Sequence, residues 1–232
     1  MLPFFYVPPT AFLSGSELIL PSSEAVHAVR VLRLRAGDEI IVVNGKGLAA
    51  RVRLTHADKG DVRGDVLSLE KDLGESNVQL TIGLSLLKQR ARFETFLEKA
   101  VELGAYAVQP LVTERTEVAA WRHARAHNIM VGAMKQCQRS RLPQLHEPKK
   151  FEDVLTPHSL VAHAQADVFI MDLLWPLPPA LQILIGPEGG FSDAEIALAL
   201  KMQSALVRLG PRRLRAETAA IAACAAVMLM HH

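Results

Sequence analysis

The stretch Leu181-Gln182-Ile183-Leu184-Ile185-Gly186-Pro187-Glu188-Gly189-Gly190-Phe191-Ser192-Asp193-Ala194-Glu195 runs from an apolar segment through a glycine turn to a helix start. Its first five residues read as a strand, and Ser192 with Glu195 has the spacing of a capping box. In open α/β sheets ligands bind beyond the carboxyl ends of the strands. Glycines there let backbone N–H groups approach a ligand with no Cβ in the way. A phosphate loop would end on Lys followed by Ser or Thr. Here Phe191 and Ser192 follow, which favours a nucleoside-like ligand held by backbone. An ordinary turn before a helix accounts for the same glycines.

A second segment has the same layout. Leu209-Gly210-Pro211-Arg212-Arg213-Leu214-Arg215-Ala216-Glu217-Thr218 follows an apolar strand and opens a helix. Arginines at 212, 213 and 215 beside a glycine turn suit phosphate, and they equally suit a solvated basic loop. Glu217 or Thr218 would match the positive end of the helix.

Outward from these two loops, strands alternate with helices. Residues 78–86 alternate as a strand, and Phe93, Phe96, Leu97, Ala100 and Val101 fall at helical spacing before Gly104 as C-cap. A strand over 106–112, a helix over 121–138, strands over 159–163 and 206–209 and a helix over 217–230 complete the pattern. It predicts a mostly parallel sheet. The N-terminal part differs. Residues 40–43 and 49–54 read as strands around an Asn44-Gly45 turn, and Gly60-Asp61 and Gly64-Asp65 punctuate the stretch before 66–69. A helix over 22–34 takes Ser22 or Ser23 as N-cap. This is the profile of a small β-barrel carrying one helix. The polar Gly74-Glu75-Ser76-Asn77 marks the boundary, giving domains 1–73 and 74–232.

Composition narrows the function classes. Half of the 232 residues are hydrophobic and 22% are charged, which excludes a disordered chain. The net charge of +2 means that an anionic partner is read by local patches, not by a whole-protein field. Pro8-Pro9 breaks the initial apolar run, and the apolar stretch 216–230 is too short and alanine-rich for a membrane span. The expectation is a cytoplasmic protein with no membrane association. Cys137 and Cys224 form neither a disulfide framework nor a zinc pattern. His123 and His127 are four apart on a helix but lack a third ligand, so no metal is expected. No serine sits in a nucleophile-elbow turn.

The segments 186–192, 209–210 and 214–219 together resemble the RsmE family of SPOUT-class methyltransferases. The likeness extends over nearly the whole chain, through His27 with Val31-Leu32-Arg33, residues 99–104, residues 110–116, and Gln136 with Arg139 and Leu142-Pro143. It implies an N-terminal PUA-like β-barrel and a C-terminal SPOUT α/β domain with a deep trefoil knot. It implies S-adenosylmethionine as cofactor, lined by Leu184, Ile185, Gly186, Pro187, Glu188, Gly189, Gly190, Leu209, Gly210 and Leu214. It also implies a homodimer and methylation of a uridine N3 in 16S ribosomal RNA. The alanine-rich helix 219–230 fits either a dimer interface or packing within the knot.

On that reading, Arg215 is the first candidate to stabilise the N3 anion, or else it contacts the adjacent phosphate. Glu217 is a tentative proton acceptor, with a helix-terminal role as the plainer alternative. Uridine N3 takes part in base pairing, so the base must be met unpaired or flipped out. Candidate RNA contacts are Arg30, Arg33, Lys88, Arg92, Arg115, Arg139, Arg141, Arg212 and Arg213. Two other readings stand beside it: a non-catalytic RNA-binding ribosome-assembly protein on the same scaffold, and a nucleotide-binding α/β enzyme.

Overall fold

The computed structural model describes residues 2–12, 17–117, 120–173 and 178–230. Contacts divide the chain into two units, one of Met1–Glu75 with Val131–Leu142 and one of Ser76–Met130 with Pro143–His232. The sequence suggests one cut near residue 73, whereas residues 131–142 return to the first unit. Hydrogen bonds tie them there: Ser140 donates to the Leu73 carbonyl and Leu142 to that of Gly45.

The first unit contains β1 (Phe4–Tyr6), β2 (Glu17–Ile19), α1 (Ser22–Val26), β3 (Glu39–Val43), β4 (Leu48–Asp58) and β5 (Asp61–Lys71). Its five-stranded sheet has the order β1-β3-β4-β5-β2. Alternating residues of β3 and β4, among them Ile40, Val42, Val52 and Leu54, are buried with Phe5, Leu18, Ala25 and Ala28. Two local expectations change. The helix expected over 22–34 is α1 followed by a single π turn, His27–Val31, and Pro21 occupies the N-cap without a side-chain cap. Arg33, at φ 56°, ends it. Gly64 lies inside β5, not at a turn. A Cβ there would stand 2.5 Å from the Arg53 carbonyl oxygen, so glycine allows the bulged β4–β5 ladder to close.

The second unit begins with β6 (Gln79–Ser85), α2 (Arg90–Glu102) and β7 (Ala107–Val112), followed by α3 (His123–Gln136), whose residues from Val131 on belong to the first unit. Then come β8 (Gln144–Leu145), β9 (Lys149–Lys150), α4 (Phe151–Val154), β10 (Ser159–Ala162), α5 (Ile170–Leu173), β11 (Ala180–Ile185), α6 (Asp193–Lys201), β12 (Ala205–Val207) and α7 (Ala216–Leu229). The sheet order is β12-β10-β11-β6-β7-β8, with β9 also on β7, and every pairing is parallel. Parallel sheets are covered on both faces. Accordingly Ile183, Leu184 and Ile185 of β11 are all buried. Gly83 of β6 lets Leu184 pack close, since a Cβ would meet Leu184 Cδ2 at 2.5 Å. Helix α7 packs on α2, β6 and β11 and buries Ala220, Ala223, Cys224, Val227 and Met228. Ala219, Ala222, Ala225 and Ala226 of the same helix stay part-exposed. No helix of the described residues is long and apolar enough to cross a membrane.

Candidate active site

Three neighbouring strands, β12, β10 and β11, end at one place. The chain leaving each of them walls a cavity of about 810 Å³. After β10 the wall is Ala162, His163, Ala164 and Gln165; after β11 it is residues 185–191; after β12 it is residues 208–216. The volume lies in the usual range for small-molecule sites.

The β11 loop is built from its glycines. Gly190 N–H donates to the Pro187 carbonyl at 2.9 Å and Gly190 takes φ 71°. A Cβ on Gly186 would lie 2.9 Å from Phe191 N and 3.0 Å from Gly190 C, so the turn closes only on glycine. Gly210, at φ 153°, gives the second loop its bend. Arg115 braces the first loop, donating from Nη1 to the carbonyl oxygens of Gly189 and Phe191. Glu188 reaches the opposite way, accepting from the Lys88 backbone N–H at 3.2 Å. The capping box read from Ser192 and Glu195 is present at the start of α6. Glu195 also accepts from the Glu114 N–H, tying β7's loop to the same corner. The N-terminus of α7 differs: Arg215 is its N-cap and supplies no side-chain bond, while Arg215, Ala216 and Ala219 line the cavity. The helix thus begins at the cavity, through Ala216, without a capping side chain, an arrangement that suits an anionic group.

The structure brings most of the expected cofactor residues together. Ile185, Gly186, Pro187, Glu188, Gly189, Gly190, Leu209, Gly210 and Leu214 all line the cavity. Leu184 does not. It is fully buried in the core with Leu111, Phe151 and Phe191, because successive strand residues face opposite sides. Glu217 also lies outside the wall, 9% exposed, with Oε1 3.6 Å from Arg92 Nε and Oε2 without a hydrogen-bond partner.

Among the expected RNA contacts, Arg92, Arg115, Arg212 and Arg213 line the cavity. Lys88 is exposed and paired with Glu117 at 2.7 Å, which raises its pKa. Arg30 and Arg33 belong to the first unit, at and just beyond the π turn. Arg141 is half-exposed and held by Asp72. Arg139 corrects the sequence reading. It is 5% exposed and joined to Glu75 at 2.7 Å, so its charge is spent inside the first unit and is not presented to a phosphate. The sequence reading also missed the wall after β10 and the guanidinium of Arg208, stacked 3.8 Å above the Phe169 ring. Only the sheet order brings those residues to the cavity. Among the described residues no cluster of three or more metal-ligating side chains occurs.

A parallel sheet with glycine-built loops at the strand ends and arginines around a ligand-sized cavity has the form of a site for a small ligand beside an anionic partner. The RNA methyltransferase domain family matches residues 74–228, and the RNA methyltransferase PUA domain family matches residues 20–67. Ribosomal RNA small subunit methyltransferase E of Synechocystis is 32% identical, over 91% of this chain and 73% of that protein. The protein of that name from Mycobacterium bovis is 30% identical, over 92% of this chain and 87% of its own length. The crystal structure of the Neisseria gonorrhoeae protein of that name, bound to S-adenosyl methionine, superposes with a TM-score of 0.89 at 31% identity, covering 99% and 98% of the two chains. A probable rRNA-methyltransferase from Porphyromonas gingivalis superposes equally well, with the same score, identity and coverage. The chain belongs to the ribosomal RNA small subunit methyltransferase E family.

Proposed function

We propose that this protein binds S-adenosylmethionine in the cavity beyond β10, β11 and β12 and methylates N3 of a uridine in 16S ribosomal RNA. The observation that carries the reading is the cavity itself: two glycine-built loops and an uncapped helix start converge there in a chain of this family. The residues fit the cofactor. The amides at the start of α7 suit its carboxylate, Glu188 and Asp193 offer acceptors for its cationic groups, and Ile185, Leu209 and Leu214 supply apolar surface. Bound there, the cofactor supplies a methyl group activated by a sulfonium.

The chain's own residues do the rest. Backbone groups of residues 186–190 and 209–214 fix the ligand, and a fixed ligand converts methyl transfer into a positioned, effectively unimolecular step. Arg215, at the cavity rim, stabilises negative charge on the uracil or its phosphate. Arg212 and Arg213 are exposed and, among the described residues, have no ion-pair partner, which suits them to hold the RNA backbone. The PUA-like first unit, with Arg30 and Arg33, adds RNA contacts of its own. The loops that form the cavity make a trefoil knot, the enzyme works as a homodimer in the cytoplasm, and its substrate is the RNA of the small ribosomal subunit.

Calorimetry with S-adenosylmethionine, S-adenosylhomocysteine and ATP tests the cofactor assignment: the first two should bind and ATP should not. Incubation with small-subunit RNA followed by nucleoside mass spectrometry tests the product. Absence of 3-methyluridine from RNA treated with cofactor-loaded protein would overturn the assignment of the reaction.

A further inference from the structure

Glu217 is the buried acidic residue that the reading above leaves without a task. Burying a carboxyl group with one oxygen unsatisfied is unfavourable. Its place in the first turn of α7 matches the helix dipole, but an exposed acidic residue would do that as well. Burial adds one thing: the other oxygen faces Arg92 Nε, 3.6 Å away. Arg92 is the third residue of α2, in its first turn, and its side chain is 28% exposed against 12% for that of Glu217. Arg92 lines the cavity and Glu217 does not. At 3.6 Å this is an ion pair, and among the described residues the terminal nitrogens of Arg92 have no other ion-pair partner, which leaves them as a planar fork beside the cavity.

The arginines of the wall are thus held in different ways. Arg115 is committed to the carbonyl oxygens of the glycine loop and Arg208 is stacked on Phe169. Arg212 and Arg213 are exposed, which suits them to a phosphate at the surface. A guanidinium oriented by a buried acidic group is worth its desolvation only where geometry matters.

Resting on the proposed function, we infer that Arg92 donates its terminal N–H groups to a carbonyl oxygen of the uracil being methylated, and that Glu217 is the positioning residue that aims it. In the reaction the N3–H bond breaks and its proton passes to water. The electron pair left on N3 forms the N–CH3 bond, and the pair of the broken S–CH3 bond stays on sulfur. The carbonyl oxygens gain negative charge as N3 loses its proton, and a preoriented donor at such an oxygen acts most strongly in the transition state.

The test compares wild type with Arg92→Ala, Arg92→Lys, Glu217→Gln and the Arg92→Ala/Glu217→Gln pair. It reads single-turnover methylation, S-adenosylhomocysteine affinity by calorimetry, RNA affinity at two salt concentrations, and thermal melting. Arg92→Ala should slow methylation by about 100-fold, with both affinities and the salt dependence within about twofold of wild type. Arg92→Lys, which keeps the charge and loses the fork, should recover only part of the rate. Glu217→Gln should slow the step without changing either affinity, and the double variant should be no slower than Arg92→Ala, as expected when one residue acts through the other. If Glu217→Gln melts early, the two Arg92 variants decide the matter. An unchanged rate in Arg92→Ala overturns the inference. So does a defect confined to cofactor affinity, or one confined to RNA affinity and its salt dependence, which would make Arg92 a cofactor or phosphate contact. These failures are separable from failure of the functional reading, because in that case the wild type itself neither binds S-adenosylhomocysteine nor methylates RNA.

Discussion

Arg115 Nη1 donates to the backbone oxygen of Gly189 at 2.7 Å and also reaches that of Phe191 at 3.3 Å. One side chain from the loop after β7 thus sets the shape of the loop after β11. A charge-assisted bond of this kind contributes about 1.5–3 kcal/mol. If it preorganises the cofactor loop, Arg115→Ala should weaken S-adenosylhomocysteine binding by about tenfold. Calorimetry would show this, and an unchanged affinity would mean the loop holds its shape without the brace.

Gly186 is a steric requirement. Its added Cβ would meet backbone atoms of Gly190 and Phe191, which cannot yield as a flexible side chain would. Gly186→Ala should cost about 1–3 kcal/mol of stability and abolish cofactor binding. Gly132 is the contrast: it lies inside α3 with nothing within 4 Å of an added Cβ. Gly132→Ala should stabilise the protein by about 0.5–1 kcal/mol. Denaturant unfolding of the two variants side by side tests both signs.

The basic residues separate into two behaviours. Arg139 and Glu75 form a buried pair, with side chains 6% and 5% exposed. Removing one partner of such a pair costs about 3–5 kcal/mol, so Arg139→Ala should appear first as a loss of folding stability. Arg212→Ala and Arg213→Ala should leave stability within about 0.5 kcal/mol. Each should lower RNA affinity and reduce the logarithmic salt slope by about 1. Filter binding across a salt series, with melting curves of the same proteins, distinguishes the two groups.

Glu94 accepts two hydrogen bonds from Arg125, across α2 and α3, and they hold its pKa below the ordinary value of 4.5. A depressed folded-state pKa means that the pair stabilises the fold above the unfolded value and that this contribution fades as pH falls through the folded value. Glu94→Gln should therefore melt lower than wild type at neutral pH. The gap should close as pH drops below about 4. A gap of constant size across that range would assign the loss to packing.

Much of this molecule is legible in local sequence because local chemistry suffices for it. Ser192 and Glu195 form their capping box from neighbours alone. Gly104 ends α2's turn at φ 98°. The alternation of apolar strands and amphipathic helices specifies parallel pairing. Where neighbours conflict, the reading slips. The helix over 22–34 breaks into α1 and a π turn, and Gly64 serves strand packing, not a turn.

The order β12-β10-β11 is a long-range outcome, and it alone brings residues 162–165 to the cavity that the two glycine loops had announced. Burial is decided at the same level. Arg139 and Arg141 are two residues apart and look alike in sequence, yet one is enclosed with Glu75 and the other is half-exposed beside Asp72. Leu184 and Ile185 are adjacent, yet one packs in the core cluster and the other lines the cavity. The sequence by itself determined which residues turn, cap and alternate, since those depend on neighbours a few positions away. Which charges are spent inside the protein, and which remain at the cavity and the surface, was decided only by tertiary packing, because desolvation depends on everything that surrounds a side chain.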